Sequence, residues 1–367
     1  MILYEFEVKD LLEKHGVPVE KSCLAESPGD VNRCLEAVPG PPYVVKAQVR
    51  RWGRGKAGLV RIAETALSAE KEAEELIMET GRVMISQYIR HERELYLAFL
   101  LDGTERTITL LASTSGGVNV EENAENVLRI RFSALEDVMP YMKRLVSKRL
   151  EVPLEQISPL LDKLYTVFRK YGFMLLEVNP LAVTESGLVV IDRKAVADDD
   201  AVRRVLPEFW KRYLEELPQV QREALEAGIS LVLLEGDIAV IGNGAGLTMA
   251  TMDLVKYYGG SPGLFIDIGG GASSERVRKA LQLTLKTRDF KSIIVNILGG
   301  ITRCDDVARG LVSVVEENPD AASRFFVRLA GLNEEEGRML LREAGIKVYS
   351  DPLNAVVEAI HHANTGR

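Results

Sequence analysis

Apolar residues change their rhythm near the middle of the chain. In the first half they come in short runs of mixed period. Glu5-Phe-Glu-Val-Lys-Asp-Leu-Leu-Glu-Lys-His15 carries them at helical spacing, Gly16 stops the pattern, and Val17-Pro-Val19 extends away. The β-branched run Tyr43–Val49 reads as a strand leading into a Gly/Arg/Lys loop over Trp52–Gly58. A charged helix is predicted over Ser68–Glu79, then strands over Val83–Ile89, Glu94–Leu101 (turning at Asp102-Gly103) and Thr107–Ala112. After the polar loop Ser113-Thr-Ser-Gly-Gly117, residues from about 134 to 171 read as helices. Phe173–Val178 and Gly187–Asp192 read as strands around a Thr184-Glu-Ser-Gly187 turn.

From about residue 228 strand and helix alternate. Strands are predicted at Ile238–Ile241, Leu264–Ile268, Ser292–Ile297, Phe325–Leu329 and Ile346–Tyr349, with helices near 246–258, 274–286, 304–317, 334–344 and 352–363. Five βα units in succession imply a parallel, doubly wound sheet with right-handed crossovers. The boundary is placed at Glu226-Ala-Gly228, after a charged helix, giving domains 1–227 and 228–367. Two domains suit 367 residues, which exceed one ordinary core.

Composition narrows the class. With 46% hydrophobic and 27% charged residues the chain is globular, neither disordered nor membrane-embedded. A formal charge of −8 argues against nucleic acid, which demands a basic face. No apolar run approaches the roughly 20 residues of a spanning helix. The first ten residues mix Glu, Lys and Asp with apolar residues, which does not fit a signal peptide. Cys23, Cys34 and Cys304 lack ligand spacing, suiting a reducing cytoplasm and no structural metal.

Three groups of residues carry candidate chemistry. Lys46 lies on a strand just before Gly53-Arg54-Gly55-Lys56-Ala-Gly58, where glycines admit phosphate oxygens to backbone N–H groups and the cations neutralise them. By itself such a loop is more often a solvated turn, and P-loop spacing is absent. Glu177-Val-Asn179, with Asp192 on the neighbouring strand, would gather hard oxygen ligands of the kind Mg²⁺ prefers. A hairpin with polar ends is the commoner explanation of such a pair. Finally, Asn243-Gly-Ala-Gly246, Gly269-Gly-Gly-Ala-Ser-Ser274 and Gly299-Gly-Ile-Thr-Arg-Cys304 follow three strands of one sheet, where α/β folds bind ligands and helix N-termini favour anions. None contains G-x-G-x-x-G. The four histidines, His15, His91, His361 and His362, avoid these loops and read as surface residues.

In combination and order, these stretches resemble the succinyl-CoA synthetase (succinate–CoA ligase) β-subunit family along nearly the whole chain. The resemblance is carried by Glu5–Val19, Val45–Gly58, Glu94-Leu-Tyr-Leu97, Ala112–Val118, Leu176-Glu-Val-Asn-Pro-Leu181, Asn243–Asp253, Asp267–Ala272 and Asn296–Cys304. It implies an N-terminal ATP-grasp domain and a C-terminal flavodoxin-like ligase domain. The implied reaction is that of the tricarboxylic acid cycle enzyme: succinate + CoA + NTP ⇌ succinyl-CoA + NDP + phosphate, dependent on Mg²⁺, with ATP or GTP as substrate. A partner α subunit would carry the phosphohistidine and most of the CoA site, in an αβ or (αβ)₂ assembly. By family match Lys46, the backbone of Gly53-Arg54-Gly55 and Glu94 would hold the nucleotide, and Ser86, Gln87 and Ile89 its base and ribose. Asn179 and Asp192 match the Mg²⁺ ligands, Asn243 and Gly300-Ile301-Thr302 the substrate and phosphate contacts, and Glu177 would orient the phosphohistidine loop. Departures are Trp52 in place of a small residue, Arg193 in place of the usual Gly after the metal Asp, and a hinge Glu that aligns with Ser86, or with Gln87 across a gap. A malate–CoA ligase β subunit shares the architecture. A regulatory nucleotide-binding subunit is the alternative of another class, and intact Lys46, Glu177, Asn179 and Asp192 speak against it.

Overall fold

The computed structural model describes residues 1–51, 53–117 and 126–366. Trp52 and the end of the Ala112–Val118 run fall outside them. The chain divides into two compact units, Met1–Lys211 and Arg212–Arg367.

The first unit opens with α1 (Glu5–Lys14), where the Tyr4 N–H donates to Glu7 Oε2 at 2.9 Å and satisfies an otherwise orphaned amide. A small antiparallel sheet holds β1 (Ser22–Ala25), β2 (Tyr43–Ala47), β3 (Val60–Ala63) and β4 (Val83–Gln87) in the order β1-β4-β2-β3. On it pack α2 (Pro28–Ala37) and α3 (Ala66–Thr80), burying Val45 and Ile85 against Ala69, Ala73 and Leu76. Cys23 of β1 and Cys34 of α2, expected as separate residues, are joined in a disulfide with Cα atoms 5.2 Å apart. The turn that brings α2 back over β1 leaves no mark in the cysteine spacing.

The larger sheet holds β5 (Arg93–Asp102), β6 (Thr107–Ser113), β7 (Leu128–Ser133), β8 (Phe173–Thr184), β9 (Gly187–Val190) and β10 (Arg193–Ala197). Its order is β10-β8-β5-β6-β7, with β9 paired on β8. α4 (Pro140–Leu150) and α5 (Leu154–Lys170) cover one face, and Phe99 sits 5.3 Å from the Tyr165 ring of α5. After α6 (Asp199–Val205), the division between units falls within α7 (Pro207–Glu216), upstream of the Glu226–Gly228 boundary expected.

In the second unit α8 (Gln219–Glu226) precedes β11 (Ser230–Leu233). Then β12 (Ile238–Gly242), β13 (Pro262–Asp267), β14 (Ser292–Gly299), β15 (Phe325–Gly331) and β16 (Lys347–Tyr349) alternate with α9 (Ala245–Tyr257), α10 (Ser274–Thr287), α11 (Cys304–Glu317), α12 (Glu334–Glu343) and α13 (Pro352–Thr365). The order β11-β13-β12-β14-β15-β16 is the doubly wound pattern with its reversal between β12 and β14. The five predicted strands are all parallel; the antiparallel edge strand β11 is an addition. Among the described residues no helix is long and apolar enough to cross a membrane.

Candidate functional site

The two sheets of the first unit enclose a cavity of about 330 Å³. Val44, Val60 and Ile62 line it from β2 and β3, because alternate residues of a strand share one face. Ser86 through Ile89 line it from β4 and the segment that follows, and Glu94, Ile191 and Asp192 close the polar end. The Ser86 hydroxyl is buried without a hydrogen-bond partner. Thus Lys46, Ser86, Gln87, Ile89, Glu94 and Asp192 share one cavity, while Gly53, Arg54 and Gly55 lie outside its lining.

At that polar end three cations face three carboxylates. Lys46 Nζ lies 2.8 Å from Glu5 Oε1 and donates also to the Ile191 carbonyl. The Arg54 side chain turns inward to Glu5 Oε2 at 2.6 Å and Asp192 Oδ1 at 2.8 Å. Arg193 is fully buried and forks onto Glu20 at 2.6 and 2.5 Å, with a third bond to Glu5 at 3.1 Å. Burial alone would raise the Glu5 carboxyl, but Arg54, Lys46 and Arg193 outweigh it and hold it well below its usual range. Asp192 moves the other way: burial and the charge of Glu5 push it up against the pull of Arg54, Lys46 and Arg193. The family departure at Arg193 therefore comes with two buried acids that accept it.

Pairing of β8 with β10 sets Glu177 opposite Lys194, and the Asn179 N–H donates to the Asp192 carbonyl at 3.0 Å. Lys194 Nζ and Asn179 Nδ2 both reach Glu177 Oε1, at 3.2 and 3.3 Å. Asn179 Oδ1 accepts from the Gly117 N–H at 2.5 Å. Gly117 has φ +71, where a side chain is strained, and a Cβ there would meet Glu94 Oε2 at 2.7 Å, so a larger residue would push the Glu94 carboxylate aside. The donor set suits Mg²⁺. Asp192 Oδ1 accepts from Arg54 and from the Arg193 N–H, leaving Oδ2 uncommitted among the described residues, and an amide oxygen keeps a second lone pair. No group of three His, Cys, Asp or Glu able to hold a metal occurs among the described residues, so the remaining ligands would be phosphate oxygens and water.

His91, expected at the surface, lines the cavity instead. Its Nδ1 lies 2.8 Å from the Ile89 carbonyl oxygen and its Nε2 3.1 Å from Glu94 Oε1. The reading by charged neighbours failed because His91 and Glu94, three apart across the start of β5, turn toward each other. Glu20 was also missed; it follows the Val17-Pro-Val19 stretch, and only the fold brings Arg193 to it.

In the second unit the three Gly-rich loops are tied together. Asn243 Nδ2 donates to Thr302 Oγ1 at 2.9 Å and to the Leu298 carbonyl at 3.0 Å, and Gly271 N–H donates to Thr302 Oγ1 at 3.0 Å. Asp267 Oδ1 accepts from Gly244 and Gly269 N–H at 2.7 and 2.8 Å. Thr302 is buried, whereas Ile301 is exposed and Gly300 borders open space. Asn243 and Thr302 thus brace the loops, and Gly300-Ile301 forms their accessible edge.

Comparison with known proteins fits this anatomy. The ATP-grasp domain family matches residues 2–183 and the CoA-ligase family residues 241–361. The β subunit of ADP-forming succinate–CoA ligase from Staphylothermus marinus is 41% identical, with 99% of each chain covered. Its counterpart from Ignicoccus hospitalis is 39% identical over 98% of each chain. Among solved structures, ATP citrate lyase from Methanothrix soehngenii shares the fold with a TM-score of 0.71 at 20% identity, covering 98% of this chain and 99% of that one. On the strength of these full-length similarities, the chain belongs to the family of succinate–CoA ligase β subunits.

Proposed function

We propose that this chain is the nucleotide-binding subunit of a succinate–CoA ligase that works with an α subunit: succinate + CoA + ATP ⇌ succinyl-CoA + ADP + phosphate. The observation that carries this reading is similarity along the full length to ADP-forming β subunits. The cavity of the first unit supports it, with an apolar wall for a base beside a charged end for phosphates. Lys46, the backbone of Gly53-Arg54-Gly55 and Glu94 would hold the nucleotide, with Ser86, Gln87 and Ile89 at its base and ribose. Asn179 and Asp192 would hold Mg²⁺, which when bound supplies charge neutralisation of the transferred phosphoryl group.

The phosphoryl acceptor would be a histidine of the α subunit, oriented near the nucleotide by Glu177. The Gly300-Ile301-Thr302 turn precedes α11, whose N-terminal amides and dipole favour a phosphate that arrives on another chain. Asn243 and Thr302 would keep that turn in place. We place the αβ or (αβ)₂ enzyme in the cytoplasm, where its nucleotide and CoA substrates are found.

The test is labelling with γ-labelled ATP and Mg²⁺. The isolated chain should stay unlabelled, and adding the α-type partner should put acid-labile label on the partner, discharged by succinate and CoA. Stoichiometric histidine phosphorylation of the isolated chain, or turnover of malate in preference to succinate, would refute the assignment.

A further inference from the structure

We infer that the Ser86 hydroxyl bonds the edge of the nucleobase and, because it can donate or accept, does so for amino and oxo purines alike. The inference rests on the nucleotide reading of the cavity. Ser86 is 1% exposed and lines the cavity, and its Oγ has no hydrogen-bond partner among the described residues. An unpaired buried hydroxyl destabilises the fold, and the large majority of buried side-chain polar atoms are paired. A hydroxyl kept in that state beside a cavity is explained by a ligand that completes it.

Strand register separates this hydroxyl from the charged end. Val44 of β2 stands opposite Ser86 on one side and opposite Ile62 of β3 on the other, so Ile62, Val44 and Ser86 form one cross-strand row facing the cavity. The next row on that face is Val60, Lys46 and Met84. Two residues of strand set the rows about 7 Å apart. Lys46 carries charge in one row; in the other the hydroxyl stands beside two branched apolar side chains, which suit the flat face of a base and not a phosphate. A ring lying on Val44 and Ile62 turns an edge to Ser86. Adenine presents an amino group there, and hypoxanthine or guanine a carbonyl at the same position. A carboxylate could only accept and would favour the amino form, whereas a hydroxyl rotates to suit either. The departure from a hinge glutamate at Ser86 therefore widens the range of bases while keeping a polar contact to them. Ser86 touches no reacting atom, so it should move the nucleotide KM and leave kcat alone.

The test compares the full chain with its Ser86→Ala variant by calorimetry, with Mg-ADP, Mg-IDP and Mg-pyrophosphate as probes. IDP carries the carbonyl where ADP carries the amino group. The variant should bind Mg-ADP and Mg-IDP each about fivefold more weakly, the size of one ordinary hydrogen bond, and Mg-pyrophosphate as the wild type does. The same loss should appear with 2′-deoxy-ADP and 3′-deoxy-ADP. Without ligand the variant should melt no lower than the wild type, since the hydroxyl it lacks had no partner to lose. In the αβ enzyme KM for ATP and for ITP should rise together at unchanged kcat. A loss confined to one base, a loss that vanishes with the deoxy sugars or extends to pyrophosphate, no loss at all, or a lower melting temperature without ligand overturns the inference. If the wild type binds neither Mg-ADP nor Mg-IDP, the nucleotide reading of the cavity fails as well.

Discussion

Replacing Glu5 by Gln isolates the centre of the buried charge cluster without changing its volume. Glu5 Oε1 accepts from Lys46 and Arg193 at 2.8 and 3.1 Å, and Oε2 from Arg54 and Gln48 at 2.6 and 3.4 Å. A glutamine amide keeps one acceptor oxygen and points an NH₂ group at whichever cations lose theirs. All three charge-assisted bonds weaken or vanish, and three buried cations face two carboxylates. Breaking a buried ion pair from one side costs about 3–5 kcal/mol, so we expect a loss of about 4 kcal/mol. At a urea slope of about 2 kcal/mol/M the unfolding midpoint falls by about 2 M. Tryptophan fluorescence reports it, since Trp52 and Trp210 both precede Lys211. The effect also has a pH signature. The folded carboxyl lies below its ordinary 4.5, so its contribution is complete above that value and is lost as pH falls toward the folded one. The gap between wild type and variant should stay constant from pH 8 to 6. Below 4.5 it should shrink by about 1.4 kcal/mol per unit. A gap under 1 kcal/mol at pH 7, or one that persists unchanged at pH 3.5, would show that Lys46, Arg54 and Arg193 do not depend on Glu5.

Three further outcomes follow from the geometry. Lys46→Met should weaken nucleotide binding by about 1.5–3 kcal/mol and also destabilise the first unit by stranding Glu5; unchanged affinity by calorimetry would make Lys46 purely structural. Thr302→Val removes the acceptor shared by Asn243 and Gly271, and should cost about 2 kcal/mol while lowering succinyl-CoA formation; hydrogen exchange at Gly271 that stays slow would contradict this. Cys34→Ser opens a loop with a sequence separation of 11 and should cost about 3 kcal/mol, read as a lower melting temperature that dithiothreitol reproduces in the wild type; a variant as stable as the oxidised wild type would count against the disulfide.

Sequence patterning was most legible in elements with a strong apolar signal. The helix at Cys304–Glu317 shows it as one buried stripe, and the strands that begin at Ile238 and Ser292 show it as continuous β-branched runs buried on both faces. Shorter pieces gave weaker signals. Ser22–Ala25 and Val60–Ala63 are four residues each, too few to display a period, and Ser230–Leu233 runs antiparallel at an edge that no βα rhythm announces. The cavity shows the same limit. Lys46, Glu94 and Asp192 could be named from their motifs, but which charges neutralise one another depends on contacts between residues as far apart as Glu5 and Arg193. His91 was invisible for the same reason, since its place in the cavity lining rests on the orientation of one ring.

The even match of Lys46, Arg54 and Arg193 with Glu5, Glu20 and Asp192 has a consequence for how the cavity greets a ligand. A cluster matched in this way offers no excess positive charge, so a free polyphosphate gains no steering from it, unlike at a site lined by unmatched lysines. Each phosphate contact made by one of these cations must come by exchange, with a carboxylate giving up its partner. A nucleotide that carries its own divalent counter-ion presents the reciprocal arrangement, its metal drawn to the carboxylate oxygens and its phosphates to the cations they release. The cluster would therefore discriminate between the metal-loaded and the bare nucleotide by charge balance alone, with association rates that depend only weakly on ionic strength.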